Sequence, residues 1–173
     1  LGVASLGATG GLTIPSAYVL ESGHVALILG DYQDPKLRTF NHPRNFSLGF
    51  GLLPRVEFFG RFAEYTNRSA TLPGANNLNN GISDISSNVK WQLPIDLQGL
   101  PKLAVGATDI SGGAVFFSSQ YLVASDEYGP LRWSVGYARG KPALNQRNGA
   151  KVLDGLFGGA ELKLGTTRAT ALV

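Results

Sequence analysis

Cysteine and methionine are both absent from this chain of 173 residues, and histidine occurs only twice. Without cysteine there is no disulfide framework and no thiolate metal site. His24 and His42 stand alone, with no His-x-x-x-His pair, so a zinc site lacks a ligand set. Because there is no methionine, Leu1 is not a translation start, and the chain is expected to be a processed product or a fragment of something longer. A cleaved signal peptide would account for this. Charged residues make up 16% of the chain and the net charge is +3 without a basic cluster, which argues against nucleic acid as a partner. No apolar run approaches the roughly 18 residues of a membrane-spanning helix. That excludes a helical span but not a closed barrel, whose strands cross with weak, alternating segments.

Catalytic signatures are missing as well. There is no nucleophile elbow, and Glu57, Glu64 and Glu161 give no local sign of the paired carboxylates that glycoside cleavage needs. Gly7-Ala8-Thr9-Gly10-Gly11 has neither the preceding strand nor the following helix of a phosphate loop. The chain reads as a non-enzyme with no cofactor and no metal.

What the chain does have is alternation. Four runs, Ile85–Leu93, Leu103–Asp109, Val115–Ala124 and Leu131–Arg139, interleave apolar with small or polar residues at period two, the mark of a strand with one wet and one dry face. In the first, Val89 and Trp91 oppose Asn88, Lys90 and Gln92. In the last, Leu131, Trp133, Val135 and Tyr137 oppose Arg132, Ser134, Gly136 and Ala138. Upstream, His24–Tyr32, Asn45–Leu52 and Arg55–Tyr65 follow the same rule. In the third of these, Val56, Phe58 and Phe62 oppose Glu57, Arg61 and Ala63, and Phe59 is the one bulky member of the polar side. A last run covers about Leu156–Leu164, and Thr166–Val173 begins what could be a further strand. Residues 1–23 are too irregular for a long strand and contain Pro15, so they read as an entry segment, with a barrel domain over 24–173.

Connections decide between architectures. Leu53-Pro54 is a tight turn, whereas 33–44, 66–83 and 140–152 are long, polar and rich in turn residues. The Asn-rich loop Thr66–Ser83, with its chance-level sequon Asn67-Arg68-Ser69, has no calcium-loop spacing and reads as a solvated loop. Short turns at one rim and longer loops at the other belong to transmembrane barrels. The expected fold is therefore an all-β, antiparallel up-and-down transmembrane β-barrel with about eight strands in this chain, closing alone or forming part of a wider barrel. Glu57, Arg61, Asn88, Lys90, Gln92, Gln120, Arg132, Glu161 and Lys163 are the polar residues expected to face the lumen. Phe46, Phe58, Phe62, Trp91, Tyr121, Trp133 and Tyr137 are the aromatics expected to face lipid. An eight-stranded barrel has room only for its own side chains, so the inward charges would form ion pairs filling a narrow interior. In a wider barrel they would line a conduit.

Several spaced motifs carry a family likeness. They are Gly11-Leu12-Thr13-Ile14-Pro15-Ser16-Ala17, the stretch Ile85 to Leu93, Leu100-Pro101-Lys102-Leu103-Ala104-Val105-Gly106-Ala107-Thr108-Asp109, Gly112 to Ser125, and Asp154-Gly155-Leu156-Phe157-Gly158-Gly159-Ala160-Glu161. Together they resemble the YjbH-like family of bacterial outer-membrane exopolysaccharide proteins. The resemblance implies a bacterial outer-membrane location and a role in assembling or exporting extracellular polysaccharide. Its partners would be outer-membrane lipid, the polysaccharide and other envelope export proteins. It supplies no catalytic residues. Members of that family are considerably longer, so the likeness is to an N-terminal portion. The competing expectation is a soluble or surface-attached β-sandwich that binds carbohydrate through its loops.

Overall fold

The computed structural model describes residues 2–5, 7–30, 40–67, 82–111, 118–141, 151, 153–164 and 167–172. Two very short strands, β1 (Val3–Ala4) and β2 (Ala8–Thr9), pair with each other. The remaining nine strands form one sheet in strict sequence order: β3 (Val25–Gly30), β4 (Phe40–Leu53), β5 (Val56–Asn67), β6 (Ile82–Gln92), β7 (Lys102–Thr108), β8 (Ser119–Tyr128), β9 (Leu131–Gly140), β10 (Gly155–Leu164) and β11 (Thr167–Leu172). Every neighbouring pair is antiparallel. Among the described residues, β3 pairs only with β4 and β11 only with β10, and there is no helix.

The all-β antiparallel meander agrees with the alternation, but two expectations are corrected. Thr167–Leu172 completes a ninth strand of the sheet, where about eight were expected. The strand expected at Val115–Ala124 runs on to Tyr128, since Gly129-Pro130, not 125–130, makes the turn. There Gly129 sits at φ +58° in the first central position of a two-residue turn, where glycine avoids a Cβ penalty. Residues 2–22 contain only the two short strands and lie across one face of the sheet, as described below. The Asn-rich stretch 68–81, residues 68 and 69 of the sequon, and Val115 to Phe117 lie outside the described residues.

Placing that turn at Gly129-Pro130 makes the rim pattern cleaner. Residues 31–39, 68–81, 109–118 and 141–154 connect strands at one rim, and 54–55, 93–101, 129–130 and 165–166 at the other.

Register also explains how one face of the sheet accepts three bulky rings. Phe59 lies directly opposite Gly49 on β4, Tyr121 opposite Gly106 on β7, and Phe157 opposite Gly136 on β9. A Cβ at any of these glycines would overlap the facing ring. Each ring therefore covers a gap in the neighbouring strand, and Tyr121 and Phe157 meet edge-on at 6.4 Å between centroids. With Ala17, Ala104, Val123, Ala138 and Leu153 they make the small apolar core.

Candidate functional site: a polar face occupied by the N-terminal segment

The sequence of β5 and β6 places charge on one side of each strand, and antiparallel pairing aligns those charges. Glu57 stands opposite Lys90, Phe59 opposite Asn88, and Arg61 opposite Ser86. Lys90 Nζ reaches Glu57 Oε1 at 2.8 Å, with both side chains 1% exposed. What buries this pair is residues 2–22, which lie across the polar face.

Thr9 sits at the centre of the contact. Its backbone N–H donates to Glu57 Oε1 at 2.9 Å, and its hydroxyl donates to Oε2 at 2.7 Å. Lys90 Nζ in turn donates to Thr9 O at 2.7 Å and to Thr9 Oγ1 at 2.6 Å. A second donor to Glu57 Oε2 is the Leu20 N–H, at 2.9 Å. A buried ion pair is tolerable only when its remaining lone pairs and protons are satisfied, and here the chain's own backbone satisfies them.

The segment is pinned along its length. Asn88 Nδ2 donates to Gly7 O at 3.1 Å, while Asn88 Oδ1 accepts from the Asp109 N–H. Ala17 N–H donates to Ser125 Oγ at 2.8 Å, the Gly23 N–H donates to Gly51 O, and the Gly51 N–H donates to His24 O. Farther along the sheet, the Arg132 guanidinium lies 4.5 Å over the Tyr18 ring and pairs with Glu127 and, at 3.6 Å, with Glu161. Burial, reinforced by the negative charge of Glu127, raises the Tyr18 hydroxyl above the usual phenol range. The segment's contacts therefore run from Gly51 on β4 to Arg132 on β9.

The expected site residues separate as follows. Glu57, Arg61, Asn88, Lys90, Arg132 and Glu161 are all buried on the covered face. Gln92 is half-buried beyond the ion pair, and Lys163 lies exposed at the short-turn rim beside Glu127, Arg132 and Glu161. Phe46, Phe62, Trp91 and Tyr137 are exposed on the opposite face, where Phe58 and Trp133 are half-buried.

Two assignments are reversed. Tyr121 is 5% exposed and belongs to the covered face, while Gln120 is exposed on the other. The parity of Ser119, Tyr121, Val123 and Ser125, all buried, overrules the rule that aromatics turn outward. Gly106 opposite Tyr121 is the sequence signal for that exception.

Sequence reasoning also missed Thr9, Tyr18 and Leu20 as partners of the charges. No group of three or more His, Cys, Asp or Glu side chains suited to a metal occurs among the described residues. Among the described residues, the arrangement is a polar face closed over by the chain's own N-terminal segment.

Comparison with known proteins agrees with the motifs. The family described as "Exopolysaccharide biosynthesis protein YbjH" matches residues 3–156. "Uncharacterized lipoprotein YjbH" of Escherichia coli (strain K12) is 30% identical over 134 residues, covering 78% of this chain. The chain spans only 18% of that relative's length. No solved structure matches significantly. A family match over most of the chain, joined by a relative of that identity, shows that the chain belongs to the YjbH exopolysaccharide biosynthesis family.

Proposed function

We propose that this chain forms part of the wall of a bacterial outer-membrane β-barrel that serves exopolysaccharide assembly or export as a scaffold, without catalysis. The observation that carries the reading is the sidedness of the sheet. Charged and small residues are buried beneath residues 2–22, whereas Leu27, Leu29, Trp91, Leu122, Val135 and Leu156 are exposed on the other face. Water is a poor neighbour for so continuous an apolar surface, and hydrocarbon is a good one. The uneven rims support the same reading, as does the relative's name, which places a lipoprotein in the family.

Outer-membrane lipid is then the partner of the apolar face, and the polysaccharide and other export proteins would be met at the rims. A soluble carbohydrate-binding sandwich has less support, since among the described residues β3 to β11 form one sheet whose apolar face is exposed. Because the chain's own N-terminal segment occupies the polar interior, this part of the wall acts as an anchor and not as an open conduit.

Expression behind a secretion leader in a Gram-negative host, followed by membrane fractionation, tests the location. The protein is expected in the outer membrane and soluble only with detergent; a monodisperse, detergent-free species would overturn the proposal. Planar bilayers are expected to stay silent, and incubation with polymer should release no new reducing ends. Steady conductance or polymer cleavage would remove the scaffold reading.

A further inference from the structure

The apolar face is not smooth. A groove of about 550 Å³ crosses it from β6 to β9. Its floor is the β7 stretch Val105, Gly106 and Ala107, which runs between larger side chains of the flanking strands. Two cross-strand rows define it: Val89–Ala107–Gln120–Arg139, and beside it Trp91–Val105–Leu122–Tyr137.

The rows do not run level between the rims. Arg139 is next to the last residue of β9, where the chain enters 141–154, while Trp91 is next to the last residue of β6, where it enters 93–101. These are opposite rims. Four neighbouring strands at about 4.8 Å spacing span about 14 Å, so the groove slants from one side of the sheet towards the other, as a lipid tail does in a leaflet.

Its two ends differ in chemistry. Trp91 and Tyr137 wall the apolar part, and Gln120 and Arg139 form the polar end, with Lys141 exposed two residues further on. Asp154 flanks that end, but its carboxylate accepts from the Gly140 N–H at 2.9 Å and from Lys151 Nζ at 2.9 Å. The polar end therefore offers cationic and amide donors to an anion.

We propose that this groove binds an anionic, phosphate-bearing lipid, its phosphate on Arg139 and one acyl chain lying over Ala107 and Val105 towards Trp91. The assignment rests on the membrane reading above. A guanidinium at a bilayer interface attracts an anionic headgroup by about fivefold in binding, and the apolar floor fixes where the tail lies.

Fluorescence quenching tests it. The chain carries two tryptophans, Trp91 and Trp133. Trp133→Phe leaves Trp91 as the reporter in the groove, and Trp91→Phe leaves Trp133 as a control on the same face. Each protein is reconstituted in phosphatidylcholine vesicles containing acyl-brominated phosphatidylglycerol or acyl-brominated phosphatidylcholine. Trp91 is expected to be quenched at an about fivefold lower fraction of the anionic lipid. Arg139→Gln should abolish that preference, Arg139→Lys should retain most of it, and Trp133 should show none. Equal quenching of Trp91 by both lipids, or a preference that survives Arg139→Gln, overturns the groove and leaves the membrane reading standing. If neither tryptophan is quenched by either lipid, both readings fall.

Discussion

Along β5, Glu57, Phe59 and Arg61 are buried beneath the N-terminal segment, while Phe58 is half-buried and Phe62 is 40% exposed on the reverse of the same strand. The covered face is held by directional contacts that must all be satisfied at once. The other face is held by nothing within the described chain. Loss of one partner on the first side should therefore cost far more than loss of a larger apolar side chain on the second. Tolerance on this sheet follows the partners that a residue has, not its size.

The sharpest test removes the carboxylate on which the covered face converges. Glu57→Ala leaves Lys90 buried without its counter-ion and strips acceptors from the N–H groups of Thr9 and Leu20. A loss of about 3–5 kcal/mol is expected in denaturant melts, together with faster proteolysis of residues 2–22. Leu27→Ala, on the exposed face, should stay within about 0.5 kcal/mol. Equal losses would erase the contrast.

A charge on the apolar face reverses the experiment. Val135 is 48% exposed there, and Val135→Arg should cost about 2–4 kcal/mol when folding is measured into bilayers. In water a substitution at so exposed a position should cost almost nothing, so the bilayer measurement alone carries the penalty.

The glycines sharpen the comparison further. Gly106→Ala drives a methyl into the Tyr121 ring and should cost about 1–3 kcal/mol. Gly60→Ala meets nothing within 4 Å and is expected to be neutral or slightly stabilising. Similar midpoints for the two variants would mean that the rings do not depend on the gaps opposite them.

The smallest effect lies at the short-turn rim, where Arg55 donates to Asp96 and Lys102 Nζ stands 3.6 Å away. The hydrogen bond from Arg55, helped by the charges of Arg55 and Lys102, holds the Asp96 carboxyl below the usual carboxylate range. A depressed folded-state pKa gives stability that is present above the unfolded value and lost as pH falls through the folded one. Amide protection in 93–101, taken relative to the intrinsic exchange rate at each pH, should fall over that acidic window in the native protein, and Asp96→Asn should remove the pH dependence of the protection.

Much of this was legible in the sequence because period-two alternation writes sidedness into single residues. Lys90 and Glu57 could be put on one face without knowing that they touch. Tyr121 and Gln120 escape the pattern because Tyr121 shares its parity with Val115, Phe117 and Val123, an apolar set, while the glycine opposite Tyr121 is what lets its ring turn inward. The ninth strand was half-seen, since six residues give too few alternations to decide. The role of residues 2–22 left little trace. Apart from the Thr9 hydroxyl and the Tyr18 ring, they bind through the Thr9 and Leu20 N–H groups and the Gly7 and Thr9 carbonyls, and main-chain groups carry no side-chain pattern to read.

An odd tally of strands has a geometric consequence. With the nine strands of the described sheet alternating in direction, β3 and β11 point the same way. Any ring that is antiparallel throughout and contains this sheet must take in an odd number of additional strands. A twin chain standing the same way up would not serve, since its first strand would meet β11 head-to-head in the same direction.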